Sequence, residues 1–156
     1  MKLISLLEKL EYTCLQGSTD QEVKNVIYDS RKVEEGSLFI CIRGAVVDGH
    51  KFVPDVVAKG AKVLIVEEAV EAPEDVTVIL VKDTRYAMAF ISAAYFGYPA
   101  EKLKTIGITG TKGKTTTTYM VKSILENAGY KVGLIGTIEA IIGDKVIPAK
   151  NTTPES

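Results

Sequence analysis

Residues 107–116 read Gly-Ile-Thr-Gly-Thr-Lys-Gly-Lys-Thr-Thr, and few folds accommodate such a run. The apolar stretch Lys104–Thr109 before it predicts a strand. Lys114–Ala128 after it predict a helix, with Val121, Ile124, Leu125 and Ala128 on a buried face and Gly129 as its stop. A strand that turns through glycines into a helix opens a parallel α/β unit. The glycines let consecutive backbone N–H groups approach an anion closely, and the helix N-terminus adds a partial positive charge. Lys114 is spaced to reach the β- and γ-phosphates of a nucleotide, and the Thr115 hydroxyl to ligate a bridging Mg²⁺. The candidate nucleotide-binding set is therefore Gly110, Thr111, Lys112, Gly113, Lys114, Thr115 and Thr116. The common phosphate loop has a glycine five residues before Gly113, where this chain has Ile108, so the match is to the shorter pattern G-x-x-G-K-T. The competing reading is an exposed αβ turn whose lysine and threonine only face solvent, and it applies to Lys112 in particular.

The rest of the chain reads as α/β as well. Leu38–Ile42, Lys62–Val66 and Val76–Val81 predict buried strands. Phe52, Val56 and Val57 predict a short helix stopped by Gly60. Asp83 predicts the N-cap of a helix whose face is Ala87, Phe90, Ile91 and Ala94, ending at Gly97 with Pro99 beyond. Gly97–Leu103 predicts a joint, which divides the chain into units 1–100 and 101–156. In the second unit Lys131–Ile135 predicts a strand and Ile138–Ile142 with Lys145–Ile147 a hairpin across Gly143-Asp144. Thr153-Pro154-Glu155 announces a helix that 156 residues do not complete. Two parallel strands and one crossover helix cannot cover both faces of a sheet. The expectation is an N-terminal piece of a longer protein.

Charge excludes some functions. Lys+Arg 19 against Asp+Glu 20 leaves a net charge of -1, with no basic excess for wrapping nucleic acid. The start MKLISLLEKL has leucines at helical spacing and a glutamate within, unlike a signal peptide, and the longest uncharged stretch, Tyr86–Ala100, is too short to span a bilayer. Two cysteines, Cys14 and Cys41, suit a reduced, cytoplasmic chain.

Several blocks occur in order along the whole chain. The first unit has Asp29-Ser30-Arg31-Lys32-Val33, Gly36-Ser37-Leu38-Phe39, Arg43-Gly44 and Asp48-Gly49-His50. The second has Thr109–Thr116, Gly133-Leu134-Ile135-Gly136-Thr137 and Asn151-Thr152-Thr153-Pro154. In order and spacing the sequence resembles the Mur ligase family, and its Asn-Thr-Thr-Pro block is similar to the tripeptide-forming branch. The resemblance implies a small N-terminal α/β domain that binds a UDP-sugar, followed by the first part of a P-loop-type parallel-sheet ATP-binding domain. It implies ATP-dependent amide bond formation in peptidoglycan precursor synthesis, which serves cell shape and division. The carboxylate of UDP-N-acetylmuramoyl-L-Ala-D-Glu is phosphorylated by ATP with Mg²⁺, and a diamino acid, L-lysine or meso-diaminopimelate, attacks the acyl phosphate. Lys114 and Thr115 are implied as catalytic, Thr115 through the metal. Ser30, Tyr28, Ala45, Val46, Val47, Asn151, Thr152 and Thr153 are implied as UDP-sugar contacts. The loop Ala45–Val47 is apolar, so only its backbone could donate. The resemblance implies no nucleic acid or membrane partner and a monomeric full-length form. It also places further catalytic groups beyond residue 156, so the piece alone is expected not to complete the reaction.

Blander readings accompany these. Asp29-Ser30-Arg31 is also a strand-end turn in which Asp29 bonds its own backbone. Asp48-Gly49 is a tight turn, His50 a surface or packing residue, Asn-Thr-Thr-Pro a helix cap, and Tyr95, Phe96 and Tyr98 packing groups near the joint. Two other functions compete: another Mur-type or folate-polyglutamate-type ligase, and a phosphate-loop module without ligase activity.

Overall fold

The computed structural model describes residues 1–44 and 47–149. They fall into two compact units, Met1–Leu103 and Lys104–Ser156.

The first unit is built on a five-stranded sheet. Its strands are β1 (Tyr12–Gln16), β2 (Asn25–Ile27), β3 (Ser37–Ile40), β4 (Val63–Val66) and β5 (Thr77–Val81), in the order β1-β5-β4-β3-β2. The last four run parallel; β1 closes one edge antiparallel to β5, Tyr12 opposite Val81. The central strands are apolar apart from Ser37 and Thr77 at the starts of β3 and β5, because both their faces are covered. Leu38 and Ile40 of β3, Val63 and Ile65 of β4, and Ile79 and Val81 of β5 pack with α1 (Leu3–Leu6) and α3 (Thr84–Tyr95). The alternate residues, Phe39, Leu64, Val66 and Val78, pack with Val53 and Val56 of α2 (Val53–Ala58). This is the period-two alternation of a pleated strand.

The anticipated strands at 38–42, 62–66 and 76–81 are β3, β4 and β5, and the Asp83 cap is present: its side chain accepts from the N–H groups of Arg85 and Tyr86. β1 and β2 were not anticipated. β1 is exposed at its three central residues and β2 has only three, so neither carries a strong apolar signature.

Beyond α3 the chain stays tied to the first unit. Tyr98 takes a left-handed conformation at φ 52, its N–H donates to the Ala93 carbonyl at 2.7 Å, and a one-turn 3-10 helix, Pro99–Lys102, follows. The Lys9 ammonium lies 3.9 Å from the centre of the Tyr98 ring and 2.9 Å from Glu101.

The second unit has α4 (Lys114–Asn127) and three antiparallel strands, β6 (Gly133–Ile135), β7 (Glu139–Ile142) and β8 (Lys145–Pro148). The hairpin β7–β8 turns at Gly143-Asp144, with Ile142 opposite Lys145, as its turn residues predict. Two expectations fail here. Lys104–Thr109 forms no ladder among the described residues. An apolar run becomes a strand only when a neighbour takes its N–H and C=O groups, and β6, β7 and β8 pair only with one another. The expected buried face of α4 is also absent: Val121 and Leu125 are half-buried, Ala128 is exposed and Ile124 is 67% exposed. The parallel pairing of this α/β fold therefore lies in the first unit among the described residues. A cavity of about 130 Å³ separates α4 from β6, lined by Ile106, Ile108, Val121, Leu125 and Leu134 among others. The Tyr119 hydroxyl at 2.6 Å from Glu139 ties α4 to β7.

Candidate functional site

The loop before α4 is made by contacts close in sequence. Gly113 is the helix N-cap and adopts φ 79, ψ -4, a left-handed conformation costly to a residue with a Cβ. A Cβ there would meet nothing within 4 Å, so backbone conformation, not space, selects glycine. Having no side chain, Gly113 cannot cap α4, and the first turn keeps its N–H groups without intrahelical partners. Thr117 closes the turn: its N–H and its hydroxyl both donate to the Gly113 carbonyl, each at 2.9 Å.

Lys114 folds back over this loop. Its ammonium donates to the Gly110 carbonyl at 2.7 Å. A positive charge thus lies on the loop that leads into the positive end of a helix, a combination that favours a polyanion. Gly110, Thr111, Lys112, Gly113, Lys114 and Thr116 are exposed, and Thr115 is half-buried. The Thr115 carbonyl accepts from Thr118, but its own hydroxyl makes no hydrogen bond among the described residues. A free hydroxyl oxygen beside a phosphate cradle fits Mg²⁺, which prefers hard oxygen ligands.

The first unit gathers its candidates at the carboxyl ends of parallel strands, where open α/β sheets bind ligands. Tyr28, Asp29 and Ser30 follow β2. Tyr28 is exposed and Ser30 half-buried at the start of a 3-10 turn capped by Asp29, whose carboxylate accepts from the Arg31 N–H at 3.1 Å. The strand-end turn and a ligand-facing Ser30 are thus compatible. The Arg31 guanidinium bonds both Asp29 oxygens at 2.8 Å, which together with that N–H pulls the carboxyl down to about 2. Lys59, from the end of α2, donates to the Ser30 carbonyl at 2.8 Å, a contact that no local pattern announces.

Arg43, Gly44, Val47 and Asp48 follow β3. Gly44 donates to the Val47 carbonyl at 3.0 Å, and Arg43 bridges to Asp48 with its Nε 3.3 Å from the carboxylate. Val47 is exposed; Ala45, Val46, Asn151, Thr152 and Thr153 lie outside the described residues. Asp48 caps the 3-10 turn Gly49–Phe52. The backbone N–H of His50 and then its ring hold the Asp48 carboxyl below the ordinary range. Gly49 approaches its neighbour so closely that a Cβ would stand 2.7 Å from the Ile42 nitrogen.

His50 is buried, and both ring nitrogens are engaged: Nδ1 with Asp48 at 2.6 Å and Nε2 with the Glu67 N–H at 3.0 Å. Asp48, His50 and Glu68 could be taken for a metal-binding group, since their ligand atoms lie within 4.8 Å of one another. With its ring so engaged, His50 offers no free nitrogen to an ion. Glu67 in turn accepts from the N–H and the hydroxyl of Thr84, each at 2.8 Å. Glu67 and Thr84 are 17 residues apart and carry no motif, so no local pattern announces this link.

The geometry can be set beside known proteins. The family description "Mur ligase family, catalytic domain" matches residues 22–96, and "Mur ligase middle domain" matches residues 108–156. A UDP-N-acetylmuramoyl-L-alanyl-D-glutamate--2,6-diaminopimelate ligase from Clostridium perfringens is 54% identical over 156 residues, covering 100% of this chain and 32% of the relative. The chain thus spans about a third of the length of the curated relatives it matches. Among solved structures, a UDP-N-acetylmuramoylalanyl-D-glutamyl-2,6-diaminopimelate--D-alanyl-D-alanyl ligase from Acinetobacter baumannii is 33% identical with a TM-score of 0.62, over 88% of this chain and 29% of that one. A MurF ligase from Thermotoga maritima in complex with ADP is 26% identical with a TM-score of 0.50, over 67% of this chain and 24% of that one.

Proposed function

The chain belongs to the Mur ligase family, and we propose that it supplies the UDP-sugar-binding unit and the opening of the ATP-binding unit of an enzyme that joins a diamino acid to UDP-N-acetylmuramoyl-L-Ala-D-Glu. The names of the relatives make 2,6-diaminopimelate the amino acid of this reading. The observation that carries it is the Lys114 ammonium standing over the Gly110 carbonyl at the bare N-terminus of α4.

A carboxylate is a poor electrophile, and phosphorylation by ATP gives it a leaving group that an amine can displace. The protein contributes position and neutralised charge to such a transfer. The amides of Gly110–Thr116 hold phosphate oxygens, and Lys114 exchanges its carbonyl partner for them. Thr115 is the residue of this loop that would hold Mg²⁺, which when bound neutralises charge on the phosphates. In the first unit Ser30, held through its carbonyl by Lys59, donates to the UDP-sugar, and the family resemblance makes Tyr28, Ala45, Val46 and Val47 further contacts of that ligand. The family resemblance makes Asn151, Thr152 and Thr153 UDP-sugar contacts as well. The domain roles are a UDP-sugar unit over 1–100 and an ATP unit from 101 onward, in a cytoplasmic, monomeric enzyme.

Calorimetric titration tests the reading with two ligands. UDP-N-acetylmuramoyl-L-Ala-D-Glu should bind, and Ser30→Ala should weaken it while leaving ATP·Mg²⁺ affinity unchanged. Lys114→Ala should do the reverse. A folded chain that binds neither ligand overturns the assignment.

A further inference from the structure

We propose that Lys59 is a positioning residue of the UDP-sugar site: its ammonium anchors the turn that carries Ser30 to the end of α2, and so holds the free Ser30 hydroxyl in place for the ligand. The inference rests on the UDP-sugar reading above and deepens it.

Two kinds of hydrogen bond act on residues 29–32. The first is internal. The Asp29 carboxylate takes the Arg31 N–H and guanidinium, and the Lys32 N–H donates to the Asp29 carbonyl at 2.9 Å. These bonds give the turn its shape and tie it to nothing else. The second kind has one member among the described residues: the Lys59 ammonium, 29 positions along the chain, donates to the Ser30 carbonyl at 2.8 Å. That bond is the turn's polar attachment to the rest of the fold. The Ser30 hydroxyl makes no hydrogen bond among the described residues, although the residue is half-buried. Ser30 is thus held by its main chain while its side chain keeps a donor to give.

The anchor has a firm base. Lys59 is the C-cap of α2, and its N–H donates to the Asp55 carbonyl at 3.1 Å. The next residue, Gly60, accepts from the Gly36 N–H at 2.8 Å, at the far end of the same crossing from β2 to β3. Gly60 lies at φ +100, and a Cβ there would stand 2.8 Å from the Glu35 Cα, so only glycine lets the two backbones meet this closely. The end of α2 therefore grips the crossing twice, Gly36 through a main-chain bond and Ser30 through a side chain. Lys59 forms no ion pair among the described residues. Its removal strands no carboxylate, and the effect of that removal reads the Ser30 bond.

Calorimetric titration of the whole chain with UDP-N-acetylmuramoyl-L-Ala-D-Glu tests the anchor. Lys59→Met keeps the apolar stem and deletes the donor; Lys59→Arg supplies a charged donor again. Lys59→Met should weaken binding about fivefold, the scale of one net hydrogen bond, and Lys59→Arg should recover most of that loss. In a Ser30→Ala chain the further change Lys59→Met should cost less than about twofold, because the anchor acts through Ser30. ATP·Mg²⁺ affinity should stay constant across the series. Unchanged UDP-sugar affinity in a folded Lys59→Met overturns the proposal and spares the site reading. An equal loss in Lys59→Arg, or an undiminished loss in the Ser30→Ala chain, overturns it too. An unaltered chain that binds no UDP-sugar overturns the site reading, and the proposal with it.

Discussion

The two units hold their candidate sites in opposite ways. In the first, the loops follow the parallel strands of one sheet, and residues far apart in sequence hold them: Lys59 on Ser30, Glu67 on His50, Thr84 on Glu67. In the second, the loop is held by bonds spanning four residues, Lys114 to Gly110 and Thr117 to Gly113. Leu134 is the one buried apolar side chain among the second unit's described residues, and α4 buries none. A glycine turn of this kind needs only local residues and one turn of helix, whereas loops gathered at several strand ends need a finished core.

The largest test of that contrast is core truncation. Phe39→Ala removes a side chain 1% exposed and should cost about 3–5 kcal/mol in urea denaturation, while Ile124→Ala should stay within about 0.5 kcal/mol. Comparable losses would mean that Ile124 is packed after all and that the contrast fails. Next, Lys114→Ala should weaken ATP·Mg²⁺ binding by about ten- to a hundredfold with no shift in the first unit's unfolding midpoint, since it removes only a charged hydrogen-bonding group. A smaller effect follows at Gly113. With open space around it, Gly113→Ala meets only the left-handed backbone penalty of roughly 1 kcal/mol, seen as about a fivefold loss of ATP·Mg²⁺ affinity.

The smallest is electrostatic. Asp29 is held down to about 2, first by the Arg31 side chain and then by its N–H. Its lowered value means that the pair is intact above the ordinary aspartate range and is lost as pH falls toward 2. NMR titration should show this, and Arg31→Ala should return the Asp29 carboxyl toward the ordinary value.

The same contrast decides what could be read from sequence. β3, β4 and β5 are legible because burial on both faces leaves unbroken apolar runs, and α3 because Asp83 and Gly97 mark its ends. The glycine turn into α4 is legible because its determinants are local. The Lys104–Thr109 run has the composition of a strand but no partner, and pairing is not written in a segment's own residues. The engagement of the His50 ring was equally hidden. Asp48 lies two residues away, but the main-chain group that fixes the ring belongs to Glu67, and a backbone N–H leaves no mark on the sequence.

The Lys114 side chain also bears on how fast and how tightly the loop responds. A free lysine loses up to about 2 kcal/mol of rotamer freedom when a ligand pins it. Here the four-carbon stem is already folded back by the Gly110 carbonyl, so most of that disorder is gone before any anion arrives. On the proposed reading, an incoming phosphate has to displace one neutral acceptor from an ammonium whose stem is already folded back over the loop.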